Sequence, residues 1–103
     1  MSVTSDGKKL RQAAKGQSCV ACSAQDGTVV LAHYTGVRRL AFGGGFGRKV
    51  HDIVAAHLCA RCHRLMDTQN RDKAKRWEHS EAFLNYCMLT IIRLWEQGVI
   101  GVK

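Results

Sequence analysis

This sequence has no proline, no internal repeat and no long apolar run, and it holds half as many acidic residues as basic ones. Each absence removes a class of protein. No stretch approaches the roughly 18–20 apolar residues of a membrane span. The first seven residues, Met-Ser-Val-Thr-Ser-Asp-Gly, carry no signal-peptide core, so the expected location is cytoplasmic and no membrane partner is expected. The glycine cluster Gly43-Gly44-Gly45-Phe46-Gly47 meets neither nucleotide-loop pattern. A zinc deaminase is excluded because Thr35 stands where its glutamate belongs and its Pro-Cys-x-x-Cys motif cannot be written without proline. The shortage of acids leaves 16 Lys and Arg against 8 Asp and Glu, a formal charge of +8. Such an excess on a 103-residue chain calls for a polyanionic partner, nucleic acid first.

What is present is organised around cysteine. Cys19-Val20-Ala21-Cys22 and Cys59-Ala60-Arg61-Cys62 are two knuckles separated by 36 residues. Paired CxxC units in a reducing compartment read as ligands of one structural zinc ion rather than disulfides. A four-thiolate site is closed to substrate, so its role is architectural. Cys87 is left over and reads as a small core residue.

The chain length suits a single domain over residues 8–103 behind a disordered N-terminus at residues 1–7. Lys8–Lys15 reads as a short basic helix ended by Gly16, and Thr28–His33 as a strand after the Asp26-Gly27 turn. A long loop, Tyr34–Lys49, follows. A second short strand is expected near Ala56–Leu58, then a helix over Cys62–Gln69 with Leu65 and Met66 inward. Ser80 is placed to cap a last helix whose buried side would include Leu84, Cys87, Met88, Ile91, Ile92, Leu94 and Trp95. The fold class is therefore α+β, a small zinc-stapled unit with flanking N- and C-terminal helices.

His63 and Asp67 stand at i and i+4, on one side of the expected helix, where they can share a divalent metal. His33 ends the first strand, and strand, loop, strand and helix make a β-β-α unit that would face His33 towards that helix. His51 and His57 read as partly exposed, and His79 as surface.

These residues resemble the HNH, or ββα-metal, nucleases, and most closely the YbcO-like nucleases of lambdoid phages and prophages. Leu31-Ala32-His33, Asp52, Cys59-x-x-Cys62-His63-x-x-x-Asp67 and the closing Leu94-Trp95-x-x-Gly98-Val99-Ile100 carry the resemblance, which spans about residues 10–101. It implies a metal-dependent endonuclease of low sequence specificity acting on DNA inside a bacterial host, in phage DNA metabolism or recombination. It also assigns roles. His33 would be the general base, His63 with Asp67 would hold a catalytic divalent ion (Mg²⁺, Mn²⁺ or Zn²⁺), and Asp52 would support the catalytic histidine. Two positions differ from the usual pattern: Ala32 replaces a ligand-bearing residue before that histidine, and Val54 replaces an Asn.

Between Arg38 and Arg76 there are ten Lys or Arg against three Asp. Arg38, Arg39, Arg48, Lys49, Arg61 and Arg64 are thus the candidate nucleic-acid contacts, to backbone rather than to bases. The competing reading is a non-catalytic zinc ribbon that binds nucleic acid and gives His33, His63 and Asp67 no chemistry.

Overall fold

The computed structural model describes residues 3–45 and 47–101. Two strands, β1 (Val30–His33) and β2 (Ala55–Leu58), form an antiparallel pair among three helices, α1 (Val3–Ala14), α2 (Ala60–Gln69) and α3 (Arg76–Glu96). Register runs from Val30 opposite Leu58 to His33 opposite Ala55. Side chains on a strand alternate between faces. Ala32, Ala56 and Leu58 accordingly enter the main core with Met66 and Cys62 of α2 and Phe83 and Cys87 of α3. That face belongs to Ala32, whereas His33 shares the other side of the strand with Leu31.

β1 begins two residues later than the sequence predicts, because Thr28 is engaged in a turn. Its amide and hydroxyl both donate to Asp26 Oδ1, at 2.9 and 2.6 Å. These bonds hold the Asp26 carboxyl below its ordinary pKa. The same hydroxyl accepts the Ala60 amide at 2.9 Å, satisfying a free N–H at the start of α2. With Cys59 as its N-cap, α2 opens at Ala60, earlier than the expected Cys62. Met66 is buried as predicted, but Leu65 is half exposed. Cys62 and Met66 set the buried face, and Leu65 lies about 60° round the helix from Cys62 and about 100° from Met66, at the edge of that face.

The N-terminal helix runs over Val3–Ala14, starting earlier than the expected Lys8; Met1 and Ser2 lie outside the described residues. Leu10 and Ala14 bury its inner side. Gly7 lies so close to the 52-position loop that any Cβ there would collide with the Asp52 carboxylate. The long loop has some structure of its own, a 3-10 turn at Arg39–Phe42 and an isolated Gly45–Arg48 bridge.

α3 departs most from its sequence reading. It starts at Arg76, led in by a 3-10 turn over Lys73–Lys75 whose Asp72 side chain accepts the Ala74 amide. Ser80 is not its cap but a buried residue within it. The buried stripe is His79, Ser80, Phe83, Cys87, Thr90 and Leu94, at three- and four-residue intervals. Met88, Ile92 and Trp95, expected inside, are about half exposed. Specific partners meet two of its polar residues, Ser80 and Thr90. Tyr34 Oη bonds Ser80 Oγ, and Thr90 Oγ1 accepts the His57 amide at 3.0 Å while donating to the Tyr86 carbonyl. No helix among the described residues is long and apolar enough to cross a membrane.

Candidate functional site

The four cysteines converge. The Sγ atoms of Cys19, Cys22, Cys59 and Cys62 all lie within 4.8 Å of one another. A zinc ion with sulfurs at about 2.3 Å in a tetrahedron needs sulfur pairs about 3.8 Å apart. The Cys22–Cys59 pair stands at 3.7 Å, so the site fits a structural ion such as zinc. Backbone bonds shape the first knuckle: the Cys19 amide donates to Ala24 O and the Ser23 amide to Cys19 O, each at 2.8 Å. Ser23 takes a positive φ of 67° to close that turn.

Charge in the cluster is uneven. Cys22, exposed, is drawn down to about 6, first by the backbone bond at Ala24 and then by Cys62. Burial pushes Cys62 up to about 12. A divalent cation is what allows four such sulfurs to persist together as thiolates. Arg61 is held by Cys22 and the neighbouring sulfurs, which raise its pKa further. One of the expected phosphate contacts thus also balances charge at the knuckle.

His33 is paired with Asp52. Its Nε2 lies 2.7 Å from Asp52 Oδ1, with only 16% and 23% of the two side chains exposed. Asp52 is brought there by the loop between the strands: the His51 amide donates to Phe42 O and the Val54 amide to His51 O, each at 2.9 Å. His51 Nδ1 also accepts the Ile53 amide at 3.1 Å. A carboxylate accepts and does not donate, so the His33 proton resides on Nε2 and Nδ1 keeps its lone pair. Gly7 was not identifiable as part of this site from sequence; its missing side chain is what lets α1 approach the back of the Asp52 carboxylate.

His63 and Asp67 form a second pair on α2, Nε2 to Oδ2 at 3.8 Å, both substantially exposed. That is too long for a hydrogen bond. It is within the roughly 4.2 Å that two ligands of one ion can span at about 2.1 Å each. These two residues could therefore share a divalent ion. Among the described residues the four-cysteine cluster is the one group of three or more such donors close enough to hold a metal, so the α2 pair gains no third protein ligand. His33 and the α2 pair are two separate dyads.

The remaining histidines differ from expectation. His57 and His79 are buried, not partly exposed or superficial. His57 Nδ1 meets the Arg93 guanidinium at 3.1 Å, and Arg93 also donates to the Ser18 carbonyl and hydroxyl at 2.7 and 3.0 Å. That network ties α3 to the residue just before the first knuckle. His79 stacks edge-on against Phe83, with neither ring nitrogen hydrogen-bonded. Burial lowers its pKa. Of the basic candidates, Arg38, Arg39, Arg48, Lys49, Arg61 and Arg64 are all exposed.

A family model described as "Putative nuclease YbcO" matches residues 8–99. No curated protein and no solved structure matches the chain significantly.

Proposed function

Since the chain belongs to the YbcO nuclease family, we propose that it is a metal-dependent, HNH-like endonuclease that hydrolyses DNA phosphodiester bonds with little sequence preference, in the service of a phage or prophage. The observation that carries this reading is the His33–Asp52 pair, 2.7 Å apart and mostly shielded. Asp52 fixes the proton on Nε2 and the angle of the ring. The free Nδ1 then takes a proton from water as that water attacks phosphorus, and Asp52 balances the charge that the ring acquires.

His63 and Asp67 would hold the catalytic cation, with water and substrate oxygens completing its shell. A divalent ion bound there supplies charge neutralisation to the phosphate and the departing oxygen. Ala32 contributes nothing to that shell, which leaves α2 as its source. The exposed Arg38, Arg39, Arg48, Lys49 and Arg64 would track the phosphate backbone, contacts that position a substrate without reading its bases.

The test is His33→Ala. Folding, zinc content and nucleic-acid binding should stay near those of the parent, while cleavage falls by roughly two to four orders of magnitude. Added metal should not restore it, because the missing group handles a proton. If the parent cleaves no duplex, branched or single-stranded DNA or RNA with Mg²⁺, Mn²⁺, Ni²⁺ or Zn²⁺, the protein is a zinc-ribbon binding module instead.

A further inference from the structure

Trp77, at the start of α3, is 67% exposed. A bulky indole left in water on a small domain is informative when something specific stands beside it. Here the Arg38 guanidinium carbon lies 5.9 Å from the ring centroid, within cation–π range. The two side chains come from different parts of the chain and share one mount. The Arg38 amide donates to Tyr34 Oη at 2.9 Å. The same hydroxyl bonds Ser80 Oγ, three residues along α3 from Trp77. Tyr34 is itself buried, edge-on to both Phe42 and Phe83. A Cβ at Gly36 would run into its ring, so the loop can fold over Tyr34 only with glycine there. Tyr34 directly follows His33, so the pair is anchored one residue from the proposed base.

The surroundings are cationic. Arg39, Lys73, Lys75 and Arg76 are exposed on the two segments that carry the pair. Asp72 is occupied as the cap of the turn before α3, and Glu78 points about 100° round the helix from Trp77. Glu81, at i+4, is an exposed acid on Trp77's side of the helix, outnumbered by these four cations and Arg38. An exposed indole amid arginine and lysine offers what an unpaired nucleobase needs, a flat apolar face with positive charge for the adjoining phosphates. A base within a duplex has both faces covered by its neighbours and cannot use it.

We propose that Trp77 and Arg38 form a stacking platform for an unpaired base, so that the protein prefers single-stranded or locally unpaired nucleic acid. This rests on the nucleic-acid reading above and adds the substrate class. Trp95 is the other tryptophan, so the experiment uses the full zinc-loaded chain carrying Trp95→Phe, in which Trp77 is the sole indole. A labelled oligothymidine and a duplex of equal length are titrated without added divalent metal, following label anisotropy and Trp77 emission together. The single strand should quench Trp77 strongly and the duplex weakly. Trp77→Ala should weaken single-strand affinity roughly 5- to 150-fold while changing duplex affinity little, and Trp77→Phe should recover most of the loss. Saturation by the single strand without quenching, or equal affinity in Trp77→Ala, overturns the platform and leaves the nuclease reading standing. Failure of both strands to bind overturns both.

Discussion

Arg93 Nη1 lies 3.1 Å from Nδ1 of the fully buried His57. A guanidinium can only donate, so Nδ1 is the acceptor and the ring is the neutral Nε2–H tautomer. That N–H is buried with no partner. Desolvation first, and the arginine charge second, depress the His57 pKa from 6.5 to about 4. As pH falls the unfolded chain takes up this proton before the folded one does. Stability should therefore be unaffected above about 6.5, decline between there and about 4, and level off below; the loss is at most about 3 kcal/mol. His57→Gln keeps an acceptor for Arg93 but does not titrate. Denaturant unfolding of both proteins at pH 7, 6 and 5, with zinc in excess, should show a flatter profile for the variant. Zinc-thiolate protonation affects both alike, so parallel profiles would refute the assignment.

Purified protein should carry about one zinc per chain by elemental analysis. Cys59→Ser or Cys62→Ser should unfold or aggregate it, since coupled zinc binding and folding can contribute on the order of 10 kcal/mol. Cys87→Ser tests the contrast. Cys87 is buried, its thiol pushed up to about 12 by desolvation, and it lies outside the four-sulfur cluster. That variant should keep its zinc and lose only about 1–3 kcal/mol through a buried hydroxyl. A folded, zinc-free parent would contradict the reading.

Asp52→Asn should leave zinc content and nucleic-acid binding intact and lower kcat by about 10- to 100-fold, less than His33→Ala. An amide can present its NH₂ to Nε2 and so favour the wrong tautomer of the imidazole. KM should change little, and Asp52→Glu should recover part of the rate. A fall confined to KM would make Asp52 a binding residue instead of a positioning one.

The cysteine cluster and the first strand were legible because their signals are local: CxxC spacing, an Asp-Gly turn, the β-branched run Thr28-Val29-Val30. Cys19, Cys22, Cys59 and Cys62 needed no tertiary information. The α3 stripe was misread because apolar residues fit two helix faces, and the face actually buried holds His79, Ser80 and Thr90. Tyr34 and the β2 backbone, far away in sequence, are what meet Ser80 and Thr90 inside, while His79 is buried with neither ring nitrogen hydrogen-bonded. Trp77 and Arg38 were separately visible, one in a charged segment and the other in a basic loop. Their adjacency required the buried Tyr34–Ser80 bond. Likewise Asp52 was nameable only through family resemblance, because its approach to His33 depends on how residues 34–54 fold back and on the bare backbone of Gly7.

The strands are joined by residues 34–54, and no tight turn sets their register. Hairpins ordinarily take their alignment from a short turn, and a slip of one residue transfers every side chain to the opposite face. In this chain the far end does that work. Cys59 follows Leu58, whose strand partner is Val30, and the Val20 amide of the first knuckle donates to His57 O at 2.9 Å. The four-cysteine cluster is thus a clasp at the open end of the hairpin, indexing one strand against the other. The index position decides whether Ala32 or His33 faces the core, and with it whether the His33–Asp52 pair can form. A metal ion held there, touching no substrate, would in this way govern the His33–Asp52 pair through alignment alone.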